Sequence, residues 1–403
     1  MKIMKQPMEK VNNFYLEQIS NNGTEKYGNL KELIIDDKLP KIKGRVNILE
    51  LGVGGGETMK ALKDQLHDRD NLNIIGLDSV LLFAKHFRKK TGLDAIVADA
   101  GFLPFKECSL SAVNASAILH EVSSYGTRDK NDKRIYGKDA IRQTLKEINR
   151  CLTENGVFAY RDIACPKDRL AMKTVVYWRK SWQIFLDLYL PVLREASKDV
   201  CPDIISDFKL DKGEGKNEVT ATAQMHREIQ RHYITFRDFI RKKIFSKIGI
   251  EVVSEHWEDK ESGNKINAIK LSGQALEHYI KFKGLNDQDS SIKSLSVKLQ
   301  SDEYDDFTDS IIEEFIVDDS FNINDEWFRR EGREIYTYLS TEELKFLAYE
   351  KYVSPDGTNS RMEVLNEKLV PRNYYQRYLK RVINNPEFEG KQIIDFIKKT
   401  YDE

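Results

Sequence analysis

Cysteine is scarce: four residues in 403, Cys108, Cys151, Cys165 and Cys201, with no CxxC spacing among them. That pattern excludes a disulfide framework and a cysteine-rich zinc module, and predicts reduced thiols in a cytoplasmic chain. No stretch approaches the roughly 18 consecutive apolar residues that a membrane span requires. The opening Met1-Lys-Ile-Met-Lys-Gln-Pro7 runs on into polar residues, where a secretory leader would place an apolar stretch. Net charge is nearly absent as well. Sixty-four Lys and Arg face 65 Asp and Glu, a formal −1, which argues against a chain that is basic throughout. What remains is a composition 40% hydrophobic and 32% charged, with only nine prolines, which reads as soluble and globular. At roughly 150 residues per domain the length allows two or three domains, and a core large enough to need no staples.

Residues 8–40 read as an amphipathic helix, with Phe14, Leu16 and Ile19 among polar neighbours and Pro40 as its stop. Val46-Asn-Ile-Leu-Glu-Leu-Gly52 is a short apolar run ending in glycine, the pattern of a buried parallel strand. A helix over 57–65, a strand over 73–78, a helix over 81–90 and strands at 95–99 and 111–115 follow. A helix at 138–152 and the turn Thr153-Glu-Asn-Gly156 then deliver a fifth strand, 157–162. This alternation predicts an α/β fold, a parallel sheet with helices on both faces.

Beyond Pro166 the alternation stops. Residues 167–210 read as helical, and Tyr177, Trp178, Trp182, Phe185 and Tyr189 recur at helical spacing, as core residues do. Residues 211–217 read as a polar loop, 284–293 as a linker, and 302–319, with nine acidic residues and no Lys or Arg, as an acidic amphipathic helix. Arg227-Glu-Ile-Gln-Arg-His-Tyr233 and Arg330-Glu-Gly-Arg-Glu-Ile-Tyr336 echo one another, each leading into strand-like pieces. Either 227–272 or 330–368 can supply the last helix and closing hairpin of the sheet. Chain proximity favours 227–272; the other choice makes 167–320 one large insertion.

The most informative segment is Glu50-Leu-Gly52-Val-Gly54-Gly55-Gly56-Glu57, between a strand and a helix. As a dinucleotide fingerprint it fails, because position 57 is Glu where the third glycine would stand, and a carboxylate there repels a pyrophosphate. The pattern E-x-G-x-G-x-G resembles that of class I S-adenosylmethionine-dependent methyltransferases. Further signals follow in the family's order: Asp78 ending the second strand, Asp99-Ala100 ending the third with Leu103-Pro-Phe105 behind it, Asn114-Ala-Ser-Ala-Ile-Leu-His120-Glu121 at the fourth, and Leu145-x-Glu-Ile-x-Arg-x-Leu152. Singly each is a turn or cap residue; independent turns have no reason to keep this order.

The resemblance implies a Rossmann-like doubly wound, mostly parallel seven-stranded sheet, with a large mainly helical insertion and a C-terminal α+β extension. It implies S-adenosylmethionine as donor, S-adenosylhomocysteine as product, and no metal. Glu50, Gly52, Gly54, Gly56, Asp78, Ser79, Asp99, Ala100 and Ala115 are the expected donor-binding residues, with Asp78 on the ribose hydroxyls and Asp99-Ala100 at the adenine. The implied domains are a helical lid at 1–45, the donor-binding core at 46–165, a substrate-recognition insertion with the closing helix and strands at 166–283, and the extension at 284–403.

Methyl transfer is an in-line displacement, and alignment alone supplies up to about 7–11 kcal/mol. His120 stands where a base would act, and Glu121 where it would orient the base or meet a cationic acceptor; equally, His120 reads as a residue that only ties the loop. Tyr125, Arg161 and Asp162 are expected on the acceptor side, although Arg161-Asp162 also reads as an ion pair holding a loop. No Asn-Pro-Pro-Tyr or Asp-Pro-Pro-Tyr closes the fourth strand, which disfavours an exocyclic base amine, and Cys165 reads as structural. The cluster from Arg227 to Lys247 and the Arg372–Arg381 run, where tyrosines interleave with arginines, either contact RNA phosphates or form solvated faces, the second being the commoner case. The reading is thus a methyltransferase acting on an O or N atom of a small molecule, with RNA methylation and a non-catalytic donor-binding scaffold as alternatives. No membrane partner is expected, and the sequence is silent on oligomeric state.

Overall fold

The computed structural model describes residues 30–34, 38–42, 44–129, 131–205, 207–213, 216–258, 265–285, 292–316, 327–328, 331–370, 382–383 and 391–401. The first half follows the predicted alternation: β1 (Val46–Leu51), α1 (Glu57–Gln65), β2 (Leu72–Asp78), α2 (Leu81–Thr91), β3 (Asp94–Val97), β4 (Leu110–Ser116), α3 (Leu119–Tyr125), α4 (Gly137–Cys151) and β5 (Leu152–Ile163). β1 pairs in parallel with β2 on one side and β4 on the other, and β4 pairs in parallel with β5. Chain order therefore reverses between β1 and β4. Loops after those two strands diverge there and leave a crevice at the carboxyl ends, the position where open α/β sheets bind ligands.

The other half differs from the expectation in an instructive way. Residues 172–178, read as helix, form strand β6 (Met172–Trp178), followed by α5 (Lys180–Val200), β7 (Lys209–Gly213), β8 (Lys216–Thr222) and α6 (Ala223–Phe239), which runs into a wide turn at Ile240–Ile244. β9 (Ile250–Glu258) and β10 (Lys265–Ser272) follow, then α7 (Gly273–Phe282), β11 (Ser294–Gln300) and α8 (Ser301–Phe315). The chain ends with α9 (Thr341–Ala348), β12 (Tyr352–Val353), β13 (Asn359–Val370), β14 (Val382–Ile383) and β15 (Lys391–Tyr401).

The main sheet has the order β12-β13-β15-β5-β4-β1-β2-β3. Its closing strands thus come from 359–401, and the preference for 227–272 is corrected: β9 and β10 pair with β11 in a separate three-stranded sheet. The segment from about 166 to 340 is one insertion whose described strands form two small sheets, one of them extended by β14 from the β13–β15 connection, while β13 and β15 themselves belong to the main sheet. β15 decides this. It runs antiparallel to β5 with Phe396 opposite Phe158, their rings stacked at 5.7 Å, and a pair of this kind contributes about 0.5–1.5 kcal/mol beyond burial. Lys398, buried in β15, donates from Nζ to the Leu152 carbonyl at 2.9 Å, so its charge is met by backbone oxygen.

The acidic helix is confirmed as α8, and its charges are internal. Arg237 of α6 bonds to Asp309 and Asp305, Arg179 reaches Asp306 at 2.9 Å and Asp309 at 3.1 Å, and Arg241 bonds to Asp238. Arg237 and Arg241 are 2% and 6% exposed, so this part of the basic cluster is neither a solvated face nor open to phosphates. The arginine-tyrosine run at 372–381 lies outside the described residues. So does most of the expected lid; its described helical turn at 30–34 buries Leu30, Leu33 and Ile34 against the β1 side of the core. Among the described residues no helix is long and apolar enough to cross a membrane.

Candidate functional site

The glycine loop turns because glycine permits it. Gly52, Gly54 and Gly56 all have positive φ, at 76°, 49° and 84°. A Cβ on Gly52 would lie 2.5 Å from Ile118 Cγ1, so the loop and the β4–α3 connection close on each other only without a side chain there. Glu50 is buried at the end of β1, where Asn114 Nδ2 of β4 donates to its Oε2 at 2.6 Å. This bond ties the two diverging strands together at the mouth of the crevice.

Asp78 ends β2. Burial pushes its carboxyl pKa up to about 6, against the opposing pull of backbone N–H groups of Val80, Val53 and Ser79. Val80 N donates to Oδ1 at 2.9 Å. Asp99 is oriented by Gly101 N, which donates to its Oδ1 at 2.8 Å, and by the Thr127 hydroxyl. These residues line one cavity of about 440 Å³ together with Ser79, Ala100 and Gly54. Ala115 does not reach it: the β4 end contributes Ser116, Ala117 and Ile118 instead. Ala117 holds φ at 56°, a left-handed conformation rare for alanine, with its N–H on the Arg161 carbonyl at 2.7 Å.

The opposite wall of the same cavity is built by α3 and by a segment the sequence did not single out. His120 and Glu121 stand in the first turn of α3 and Tyr125 at its end, all lining the cavity. His120 Nδ1 lies 2.9 Å from Asp162 Oδ1, and its Nε2 lies 3.7 Å from Glu334 Oε2. Burial by itself would lower the imidazole pKa. The charge of Asp162, the hydrogen bond to it, and the charges of Glu334 and Glu121 outweigh that and hold it up at about 9. Asp162, fully buried, is held below its ordinary value by the same pairing despite the cost of burial. The Nδ1 of His120 is thus taken up by Asp162, and Nε2 is the ring atom on the Glu334 side. Asp162 stands behind His120 and does not line the cavity; neither does Arg161, which approaches Ser116 Oγ at 3.4 Å.

Residues 331–337 complete the wall. The Tyr336 hydroxyl lies 3.0 Å from both Glu334 Oε2 and Glu331 Oε2, which share its one proton, and Tyr125 donates to Glu334 Oε1 at 3.0 Å. The Tyr336 ring packs 4.6 Å from the His120 ring. This segment is strapped on both sides. Ile335 N donates to Ser124 Oγ of α3 at 2.8 Å, while Glu228 Oε1 of α6 accepts from Thr337 N at 2.5 Å and from its hydroxyl at 2.6 Å. Glu331, Glu334, Tyr336, Trp327 and Phe239 were therefore missed as residues of this cavity, and Arg231, read as a possible phosphate contact, lines it as well. The only signal was the 330–336 echo, which marked the segment without indicating what it would face.

S-adenosylmethionine fits the donor half on this chain's own features: a side-chain-free cradle at Gly52 and a partly buried carboxyl at Asp78 for vicinal hydroxyls. Residues 49–160 match the profile of a family described as a methyltransferase domain. An uncharacterized protein of Methanocaldococcus jannaschii is 27% identical over 148 residues, covering 36% of this chain and 49% of its own length. The chain thus spans about half the length of the curated relative it matches. Among solved structures, a protein of Pyrococcus horikoshii is 11% identical over 98% of this chain and 100% of its own, with a TM-score of 0.37. A SAM-dependent methyltransferase from Aquifex aeolicus is 13% identical over 53% of this chain and 98% of its own, with a TM-score of 0.28. These structural likenesses are loose and carry no weight beside the profile match and the strand-ordered glycine loop. Residues 49–160 thus match a methyltransferase domain, and the strand-ordered glycine loop lies within that match.

Proposed function

We propose that this chain transfers the methyl group of S-adenosylmethionine, by in-line displacement, to an oxygen or nitrogen of a small molecule. The observation that carries the reading is the union of two walls in one cavity: the donor-side residues Gly52–Gly56, Asp78 and Asp99, and the acceptor-side residues His120, Glu121, Tyr125, Glu334 and Tyr336. A volume of about 440 Å³ falls in the range of small-molecule sites. When bound, the donor supplies an activated methyl group on a sulfonium. Glu50, the glycine loop, Asp78, Ser79, Asp99 and Ala100 hold it. His120, steadied by Asp162, presents Nε2–H toward the acceptor side, and the carboxylates of Glu121, Glu331 and Glu334 are the groups able to take a proton. Arg161 is a positioning residue that carries the Ala117 turn through its carbonyl.

RNA as acceptor has less behind it, since Arg237 and Arg241, two of the arginines proposed for phosphates, are buried in ion pairs with carboxylates. Incubation with methyl-labelled donor and separated metabolite, RNA and protein fractions of a cell extract tests the reading. Label is expected in the metabolite fraction with stoichiometric S-adenosylhomocysteine; transfer to RNA alone, or to nothing, sinks it.

A further inference from the structure

We propose that the acceptor is a small amine that arrives as a cation and is held by Glu331 and Glu334 among the rings of Tyr125, Tyr336 and Trp327. This rests on the methyltransferase reading above and specifies the acceptor for the same cavity. Three observations carry it. Glu334 is 6% exposed yet accepts from two phenols, Tyr125 and Tyr336, so its carboxylate is desolvated and oriented rather than merely present. Glu331 shares the Tyr336 phenol and Glu121 lines the same wall, which places three carboxylates around one corner. Aromatic rings and carboxylates together are the surroundings that favour an ammonium, through ring quadrupoles and charge-assisted hydrogen bonds.

Trp327 adds an independent sign of a ligand. It lines the cavity, is 1% exposed, and its indole N–H has no hydrogen-bond partner among the described residues. A buried donor left unmet costs about 1–3 kcal/mol, a cost that an acceptor atom on a bound molecule within its reach would relieve.

Cations also line the cavity. Arg134 is engaged on the Tyr125 carbonyl at 2.8 Å, and Arg231 lies 4.8 Å from the centre of the Tyr336 ring. Lys242 and Lys243 enter from the wide turn after α6, on the same side as Asp238. The local balance near α3 is reported by His120, whose positive charge is upheld there in spite of burial by Asp162, Glu334 and Glu121. That corner accommodates positive charge, which a neutral alcohol would not use.

The chemistry balances. The bound ammonium gives one proton to a carboxylate, Glu331 or Glu334, and its nitrogen then has a lone pair. That pair forms the new N–CH₃ bond as the donor's S–CH₃ bond breaks, with the bonding electrons staying on sulfur to leave a thioether. The product is a methylated ammonium, and the proton held by the carboxylate passes to water.

The test uses the full chain with methyl-labelled S-adenosylmethionine and matched pairs of probes: phenethylamine with 2-phenylethanol, benzylamine with benzyl alcohol, and putrescine with 1,4-butanediol. Label is expected on the nitrogen of at least one amine, found by mass spectrometry, and on no alcohol. Glu334→Gln should raise the KM for that amine on the order of 10- to 100-fold, the loss expected for one charged hydrogen bond, with S-adenosylhomocysteine still raising Tm. Glu331→Gln serves as the second variant should the first fail to fold. Label on an alcohol oxygen, label on no probe, or a KM unmoved in both variants overturns the amine assignment. Failure of S-adenosylhomocysteine to stabilise the wild-type protein overturns the methyltransferase reading itself, and so separates the two.

Discussion

Replacing Asp162 by Asn removes the negative charge behind His120 while keeping an oxygen within reach of its Nδ1–H. In the native protein the imidazole pKa stands at about 9, against 6.5 for an unperturbed histidine. At 1.36 kcal/mol per unit, the raised value corresponds to roughly 3 kcal/mol of folding stability. Because the folded pKa is raised, that contribution is fully present below pH 6.5 and is lost as pH rises through 9. Asp162 shifts the opposite way, so its own contribution is present above its ordinary 3.8 and is lost on acidification. In Asp162→Asn the cost of burying a charged ring is no longer met by its nearest partner. The His120 midpoint should fall by roughly one unit or more, the range for losing an adjacent opposite charge. Nitrogen-detected NMR titration of the seven histidines, with His120→Gln to assign the signal, gives the midpoint directly. Urea unfolding at pH 6 and pH 9.5 gives the linked stability, which should fall with pH in the native chain and far less in the variant. A midpoint that stays near 9 in Asp162→Asn, or a native midpoint at or below 6.5, would refute the reasoning.

Three further outcomes are expected. Gly52→Val adds a side chain at φ 76°, where even a Cβ meets Ile118 at 2.5 Å; it should abolish the Tm rise caused by S-adenosylhomocysteine, and a normal rise would contradict the loop assignment. Asp78, with its pKa near 6, should make donor affinity weaken as pH drops through 6; calorimetry should show that dependence in the native chain and lose it in Asp78→Asn, and a flat native profile argues against Asp78 on the ribose. Arg237→Ala removes the guanidinium shared by Asp305 and Asp309, leaving Arg179 on Asp309 and Arg241 near Asp305, and should cost up to about 3–5 kcal/mol in urea unfolding, whereas a loss below about 1 kcal/mol would mean the insertion does not depend on this network.

The donor half was legible because each of its parts is local. A strand, three glycines with positive φ and a helix start are consecutive in the chain, and Asp78 and Asp99 mark strand ends that the apolar runs already delimit. The closing strand β15 was not legible. Lys391-Gln-Ile-Ile-Asp-Phe-Ile-Lys-Lys shows no alternation, since Asp395 and Lys398 are buried along with Phe396, and the partners of Lys398 and Phe396, Leu152 and Phe158, lie far away in sequence. Residues 172–178 failed as a helix for a related reason. β6 is a strand because β8 pairs with it across Thr174 and Thr220, a contact 46 positions apart. The near-neutral total charge also concealed an arrangement: an acidic helix and basic side chains of the insertion neutralise each other in buried pairs.

What the sequence determined on its own is the strand–glycine loop–helix unit at one side of the cavity, because spacing within one βα unit dictates a loop's geometry. Which residues form the opposite wall of the cavity was decided only in three dimensions. Glu334 and Tyr336 stand more than 200 positions from His120, and they meet it because Ser124 of α3 and Glu228 of α6 clamp residues 335 and 337 between them. A hydrogen bond between groups that distant leaves no periodicity to read, so this wall of the cavity exists only once the insertion has folded back over the carboxyl ends of the sheet.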